Sequence, residues 1–151
     1  MRVELRKINA DNYMECLGLS VAEDQACFVA SNAVSLAEAW VFPYVAVPLA
    51  VYAHEYGERD KMVGFVMLGY LAEEEHYEIW RLMIDQRFQG KGYGRAALKR
   101  AVDYMVKEFR ADKVYLSVEP ENTAAEKFYK DFGFKMTGEI EDDEAVMQLV
   151  L

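Results

Sequence analysis

The chain has 151 residues, about the size of one domain, so we expect a single domain over residues 1–151 and not a multidomain assembly. Hydrophobic residues make up 53% of it, with only nine Gly and three Pro, which excludes a disordered or fibrous protein. The net charge of −9 opposes binding to a nucleic acid backbone and would attract cationic ligands.

Cysteine usage and hydropathy narrow the class of protein further. Cys16 and Cys27 fit no metal-ligand spacing, and so sparse a pair is typical of reduced, intracellular proteins. No apolar stretch is long enough to span a bilayer, and the alternating charges of residues 1–6 differ from a signal peptide. We therefore expect a cytoplasmic protein with no metal, no membrane partner and no nucleic acid partner.

The N-terminal third is predicted to hold one strand and two helical regions. The alternation of residues 3–8 predicts a strand, and capping residues at 9–11 predict a helix that ends at Leu19. Residues 20–42 are predicted to be mostly helical, with Ser35 as a possible N-cap and the Phe42-Pro43 bond as the stop.

The remainder is predicted to alternate between strands and helices. β-Branched and aromatic runs predict strands over 49–56, 62–71 and 77–85, followed by a helix over 93–109, a strand over 113–118, a helix over 123–132 and strands near 134–140 and 144–150. The order β-α-α-β-β-β-α-β-α-β-β, without repeats or linkers, predicts an α/β fold in which helices cover one mixed sheet.

A glycine-rich loop, RFQGKGYGR at 87–95, lies between the predicted strand 77–85 and helix 93–109. Its glycines would let an anion approach the unpaired N–H groups of a helix N-terminus. The loop matches neither a Walker A motif nor the dinucleotide-binding Gly-x-Gly-x-x-Gly pattern. Basic residues and no acidic ones occur from 87 to 100, which favours a polyphosphate ligand over a plain turn: Arg87, Lys91, Arg95, Lys99 and Arg100.

The predicted helix 123–132 carries two further candidates. Thr123 and Glu126 have the spacing of a capping box, which explains why a helix begins there. Asn122 and Tyr129 are seven residues apart, so two helical turns, or about 10.5 Å, separate them along one line. The alternative for Tyr129 is an aromatic side chain that only packs against the sheet.

These features resemble the GNAT superfamily of N-acetyltransferases, whose pyrophosphate loop has Gln or Arg, two variable residues, Gly, one variable residue, then Gly or Ala. Gln89, Gly92 and Gly94 match that pattern, and the element order extends the resemblance over nearly the whole chain. The resemblance implies a mostly antiparallel sheet of about seven strands with about four helices, and acetyl-CoA as the donor. It also implies a set of cofactor-binding residues: Leu82, Met83 and Ile84 at the pantetheine arm, and Gln89, Gly90, Lys91, Gly92, Tyr93, Gly94 and Arg95 at the pyrophosphate.

The same resemblance implies roles for the two helix residues. Asn122 would contact the pantetheine arm, and Tyr129 would stand near the sulfur and return a proton to the departing thiolate. The ordinary pKa values of tyrosine, about 10, and of a thiol, about 8.5, make full transfer uphill, so hydrogen bonding to the thiolate is the alternative. Small enzymes of this superfamily are often dimers, so a homodimer is possible.

An acceptor amine has to lose a proton before it attacks, which costs about 4 to 5 kcal/mol at neutral pH. Period-two geometry over 78–85 predicts Glu78, Trp80, Leu82 and Ile84 on one face and Arg81 and Asp85 on the other. An acid on this strand is a common base position in the superfamily, which makes Glu78 the first candidate. Glu119 and a water relay are the alternatives, and His54 and His76 are expected to be structural or exposed.

Residues 35–43, 63–69 and 79–85 are similar to bacterial spermine and spermidine N-acetyltransferases. This narrower resemblance implies a small cationic amine, a polyamine, as acceptor, with Glu38, Glu78 and Trp80 in contact with it. The acidic run Glu73–Glu75 either lines the approach or forms a hydrophilic hairpin tip. The alternatives are acetylation of a protein N-terminus or an aminoglycoside, and a non-catalytic acyl-CoA-binding sensor.

Overall fold

A computed structural model describes all residues, 1–151. It contains seven strands and four helices in the order predicted: β1 (Arg2–Lys7), α1 (Tyr13–Leu17), α2 (Asn32–Val41), β2 (Ala46–His54), β3 (Lys61–Leu71), β4 (His76–Ile84), α3 (Tyr93–Phe109), β5 (Lys113–Val118), α4 (Thr123–Phe132), β6 (Lys135–Glu141) and β7 (Glu144–Val150). The strands form one sheet in the order β1-β2-β3-β4-β5-β7-β6. All neighbours are antiparallel except β4 and β5, which confirms the predicted α/β fold class.

Each face of the sheet buries its own apolar cluster. The larger cluster lies under α3, where residues such as Ala97, Leu98 and Met105 pack against strand residues including Val66 and Leu116. The smaller cluster lies under α1 and α2 and includes Cys16, Phe65 and Met83. None of the helices is both long and apolar enough to cross a membrane.

The predicted helix over 20–42 is wrong in its first half. Only a single turn, Glu23–Gln25, is helical between residues 20 and 31, and α2 begins at Asn32. The N-cap is Ser31, whose side chain accepts a hydrogen bond from the Val34 N–H at 3.2 Å, and not Ser35, which is buried inside the helix. The predicted stop is confirmed, because α2 ends at Val41.

The capping box predicted at the start of α4 is also absent. Asn122 is the N-cap, and its Oδ1 accepts a hydrogen bond from the Ala125 N–H at 3.3 Å. Thr123 is therefore the first helical residue, and Glu126 instead pairs with Lys130 at 3.0 Å. Asn takes this position because its short carboxamide reaches the free N–H groups of the first turn.

A β-bulge in β4 overturns the predicted assignment of faces. Met67 pairs with Arg81 and Leu68 pairs with Ile79, so Trp80 has no partner on β3. The extra residue inverts the alternation, because two residues of β4 then oppose one of β3. Leu82 and Ile84 consequently pack under α3, whereas Trp80 packs against the cluster under α1 and α2.

Candidate functional site

The parallel strands β4 and β5 pair only at Glu78 and Tyr115 and diverge beyond that point. The gap is a cavity of about 820 Å³, which we call the main groove. Its walls come from the 21–30 segment, β4, the glycine-rich loop, β5 and α4. Such a gap leaves the facing backbone groups of both strands without ladder partners.

Leu82, Met83 and Ile84 supply one edge of the main groove. Their other edge is satisfied by β3, where they pair with Val66, Phe65 and Gly64. The backbone N–H and C=O groups that face β5 are thus available to an extended ligand, much as an added strand would use them, except for the Ile84 carbonyl, which accepts a hydrogen bond from the Gln89 side chain.

The glycine-rich loop ends in an uncapped helix N-terminus at the same groove. Gly90 and Gly92 have φ angles of 76° and 87°, which favour glycine, and no side chain caps α3. The first helical bond runs from the Ala96 N–H to the Gly92 carbonyl at 3.2 Å. The N–H groups of the first turn, at residues 93–95, therefore have no partner in the helix, and the dipole of this 17-residue helix favours an anion there.

The positive charges around this loop are less available than the sequence suggests. Arg87 pairs with Asp85 at 2.8 Å, Lys99 with Asp103 at 2.5 Å, and Arg100 donates to the Val3 carbonyl at 2.9 Å. Arg95 lines the main groove, with its guanidinium 5.2 Å from the centre of the Phe132 ring. Backbone amides, assisted by Arg95, therefore dominate the attraction for an anion.

Two of the predicted loop residues do not line the groove with their side chains. The Tyr93 ring is buried, and its hydroxyl donates to Glu55 at 3.0 Å. The Lys91 ammonium lies 5.9 Å from the centre of the Phe88 ring, outside the groove lining. Gln89, Gly90, Gly92, Gly94 and Arg95 all line the groove.

Gln89 has a structural function that the sequence did not indicate. Its Nε2 donates to the Ile84 carbonyl and to the Gln25 side chain, both at 2.9 Å, and Gln25 donates back at 3.3 Å. This amide pair joins the loop to the 21–30 segment, which also lines the main groove.

Helix α4 brings Asn122 and Tyr129 to the main groove, as their spacing predicts. Tyr129 is half-buried, with the rings of Phe128 and Phe134 in edge contact at 5.1 and 5.7 Å between centres. Burial raises the pKa of Tyr129 to about 12, and no hydrogen bond offsets it. Its phenol is thus a neutral donor at the groove lining and has no hydrogen-bond partner within the protein.

A second cavity, of about 420 Å³, adjoins the main groove, and most of the charged side chains that line this second cavity are carboxylates. We call it the acidic cavity; it is lined by Glu38, Phe42, Glu78, Ile79, Trp80, Arg81, Ser117, Glu141, Asp142 and Glu144. It shares five of these with the main groove: Ile79, Trp80, Arg81, Ser117 and Glu144. The two cavities therefore meet at the bulge of β4.

One of the five carboxylates is already paired. Glu38 on α2 accepts two hydrogen bonds from the Arg81 guanidinium, at 2.8 and 3.1 Å. The carboxylates of the other four have no cationic partner apart from a histidine beside Glu78. The acidic cavity is therefore electrostatically suited to a ligand with several positive charges.

Two acids in this cavity titrate abnormally. The pKa of Glu78 is raised, mainly by burial, and the nearby His76, 3.4 Å away, opposes the rise. The pKa of Glu144 is raised by burial first and then by the charges of Glu119, Asp142 and Glu78. Carboxylates that crowd each other in this way gain from a bound cation.

The acidic residues that the sequence suggested as candidates lie in different places in the structure. It places Glu38, Glu78 and Trp80 together in the acidic cavity, and it places Glu119 in the main groove instead. The run Glu73–Glu75 is an exposed hairpin tip outside both cavities, which agrees with the second of its two alternatives.

Sequence reasoning missed the carboxylates of the β6–β7 hairpin: Glu141, Asp142 and Glu144. They lie some 60 residues from β4 in the chain, and the strand order β4-β5-β7 brings them close. The acid-rich run at 139–144 was the available signal. The structure has no group of three or more His, Cys, Asp or Glu side chains arranged to hold a metal ion.

Comparisons with known proteins all match this chain to acetyltransferases. The profile of the Acetyltransferase (GNAT) family matches residues 25–134. A spermine/spermidine N(1)-acetyltransferase from Bacillus subtilis (strain 168) is 31% identical over 97% of both chains. An N-alpha-acetyltransferase RimI from Mycobacterium tuberculosis is 32% identical over 56% of this chain and 54% of its own.

A solved structure shares the fold over nearly its full length. The spermidine N-acetyltransferase from Vibrio cholerae, in complex with CoA and spermine, superposes with a TM-score of 0.78 at 20% identity, covering 99% of this chain and 95% of that one. The family profile covers most of this chain, and a relative above 30% identity spans it. The chain belongs to the acetyltransferase (GNAT) family and is an N-acetyltransferase.

Proposed function

We propose that this protein transfers the acetyl group of acetyl-CoA to a primary amine of a polyamine, such as spermidine or spermine, by direct attack within a ternary complex. The observation that carries the proposal is the junction of the main groove with the acidic cavity at the β4 bulge. A donor in one and a polycation in the other would meet at Trp80 and Ser117. We also propose that residues 1–151 act as one catalytic domain, because the main groove draws on residues from Val21 to Glu144.

The main groove fits acetyl-CoA in three respects. The backbone edge of Leu82–Ile84 that faces β5, in which Gln89 occupies only the Ile84 carbonyl, suits an amide-containing pantetheine arm. The uncapped start of α3, with Gly90 and Gly92 before it, suits a diphosphate. Tyr129 stands two turns along α4 from Asn122, at the groove wall. When bound, acetyl-CoA supplies an activated acyl carbon and a thiol leaving group.

The acceptor amine arrives as an ammonium ion, and Glu78 is the base that we assign to it. The carboxylate lies in the acidic cavity, and its raised pKa makes it a better proton acceptor than an exposed glutamate. The neutral nitrogen then forms the C–N bond as the C–S bond breaks. The remaining carboxylates, Glu141, Asp142 and Glu144, hold the distal ammonium groups of the polyamine.

Tyr129 acts on the leaving thiolate as a hydrogen-bond donor. With its pKa at about 12 and a thiol near 8.5, full transfer of the phenolic proton would be about 5 kcal/mol uphill. A charge-assisted hydrogen bond gives stabilisation without this cost, at roughly 1.5 to 3 kcal/mol. The released thiolate then takes up the second proton that the nitrogen loses as the amide forms.

The test compares acceptors in one assay of thiol release from acetyl-CoA. The acceptors are spermidine, spermine, an aminoglycoside and a peptide with a free N-terminus. We expect the highest kcat/KM for a polyamine and a marked loss of that preference with added salt. Preference for the peptide would support N-terminal acetylation instead, and CoA binding by calorimetry without thiol release for any amine would support a sensor.

A hairpin variant tests the acceptor side with a matched control. The triple variant Glu141→Gln, Asp142→Asn, Glu144→Gln removes three charges from the acidic cavity. Each charge is worth about 1 kcal/mol to a cation some 4 Å away, so we expect KM for spermine to rise at least tenfold. The control is Glu139→Gln, Asp143→Asn, which changes the same hairpin outside the cavity and should leave KM within twofold.

A further inference from the structure

The stoichiometry of the proposed reaction requires a route for a proton. An amine that enters as an ammonium ion loses two protons when it becomes an amide, and the thiolate takes up one. One proton therefore leaves the site in each turnover, with no change in oxidation state. Glu78 is half-buried in the acidic cavity, so it has to pass this proton on before it can act again.

His76 is the titratable side chain hydrogen-bonded to Glu78. Its Nε2 lies 3.4 Å from Glu78 Oε2, and the two residues share one face of β4, before the bulge. Tyr115 of the adjacent strand β5 stacks on the imidazole, with ring centres 4.7 Å apart and planes 15° apart. The side chain of His76 is 37% exposed against 25% for Glu78, so the pair leads outward from the cavity to solvent.

The other charged groups near Glu78 are less suited to this step. Arg81 stays protonated and is engaged by Glu38 on α2. Glu141 of β6, Asp142 of the hairpin turn and Glu144 of β7 face the same cavity as carboxylates that would be occupied by the polyamine. Imidazole has an ordinary pKa near 6.5, which lets it take a proton from a carboxylic acid and release it to water near neutral pH.

We propose that His76 is a positioning and proton-exit residue, which orients Glu78 and carries the proton from Glu78 to solvent. The inference rests on the proposed function, in which Glu78 is the base. The neutral ring, with its hydrogen on Nδ1, accepts the proton from Glu78 Oε2 at Nε2. The resulting imidazolium then loses its Nδ1 proton to water or buffer, and proton exchange with water returns the neutral ring to the tautomer with its hydrogen on Nδ1.

The test uses His76→Ala and His76→Gln with the polyamine that the wild type acetylates best. We expect kcat at pH 7.5 to fall at least tenfold in both, with KM for the amine changed less than twofold. Imidazole added to His76→Ala should restore kcat in proportion to its concentration, because it can enter the vacated space. The control is His54→Ala, since His54 pairs with Asp60 outside both cavities and should leave kcat unchanged.

Three outcomes would overturn the proposed role of His76 in proton exit. The first is a His76→Ala variant with the kcat of the wild type. The second is a loss of kcat that imidazole does not relieve, since a merely structural residue would behave in that way. The third is equal relief by imidazole in Glu78→Gln, which has no proton to pass on. If the wild type itself acetylates no amine, the proposed function fails first, so the two failures are distinguishable.

Discussion

The indole of Trp80 lies directly against Gly69 of the neighbouring strand. A methyl group built on Gly69 would overlap the indole nitrogen, so no other residue fits there without moving the tryptophan. Gly69 pairs with Glu78, and Trp80 is the residue that the bulge leaves without a partner. The absence of a side chain at Gly69 therefore leaves room for Trp80 where the two cavities meet.

The first prediction concerns this contact. Gly69→Ala forces Trp80 out of its place, and we expect a loss of about 1 to 3 kcal/mol of stability and a KM for the amine raised at least fivefold. In thermal unfolding, the melting temperature should fall by about 2 to 4 °C for each kcal/mol of stability lost. In the double variant Gly69→Ala, Trp80→Leu, the stability should recover and the KM should not. If the kinetics of Gly69→Ala match those of the wild type, Trp80 does not contact the acceptor amine.

The second prediction concerns the glycine-rich loop. Gly90 and Gly57 have nearly equal φ angles, 76° and 79°, and neither has a neighbour within 4 Å of an added Cβ. Alanine at either position should cost about 1 kcal/mol through backbone strain. Only Gly90→Ala should weaken CoA binding, by at least fivefold in calorimetry, because Gly90 lines the main groove. Equal affinities in the two variants would place the diphosphate elsewhere.

The third prediction concerns Tyr129. Its pKa of about 12 keeps the phenol protonated below that pH, so the residue should produce no descending limb between pH 7 and 10. Tyr129→Phe should lower kcat about 10- to 100-fold through loss of a charge-assisted hydrogen bond, with KM for acetyl-CoA within twofold. The exposed Tyr56→Phe serves as the control and should match the wild type. A Tyr129→Phe enzyme with full kcat would contradict the assignment.

The fourth prediction uses the raised pKa of Glu78. A carboxyl whose pKa is higher in the folded state favours folding at low pH, and this contribution is lost as the pH rises from about 4.3 through the folded pKa. Glu78→Gln removes this pH dependence. The melting temperature of the variant, relative to that of the wild type, should therefore rise between pH 4 and pH 7. Glu74→Gln, at the exposed hairpin tip, should show no such gain.

The same variant has a kinetic signature. If Glu78 is the base, the rising limb of the kcat/KM profile belongs to its carboxylate, and Glu78→Gln should lack that limb and lose about 10²- to 10⁴-fold in rate. If Glu78→Gln keeps the rising limb of the profile, the base is Glu119 or water instead.

Local sequence signals predicted the elements that depend on local physics. The bounds of α3 at 93–109 and of α4 at 123–132 match the sequence prediction, because the apolar period of a helix is set by residues three and four apart in the chain. The region 20–31 was wrong because helical composition does not reveal a segment held by tertiary contacts, here the Gln25–Gln89 amide pair. Ser31 and Ser35 are equally good N-caps in sequence, and only burial of Ser35 distinguishes them.

Of the candidate site, the groove proposed for the donor was predictable from the sequence, and the cavity proposed for the acceptor was predictable only in part. The donor elements follow one another in the chain, so the loop motif and the Asn122 to Tyr129 spacing locate them. The acidic cavity needs the bulge at Trp80 and the strand order β5-β7-β6, and neither leaves a periodic trace in the sequence. Two acids, Glu38 on α2 and Glu78 on β4, were found, and the hairpin acids were not.

The bulge of β4 divides the strand into two parts that natural variation can alter separately. In the proposed function, residues 76–80 offer side chains to the amine, whereas residues 82–84 offer main-chain atoms to the donor, which no substitution other than proline removes. A descendant of this protein could therefore acquire a new acceptor through a few replacements in the first part while it keeps its thioester donor.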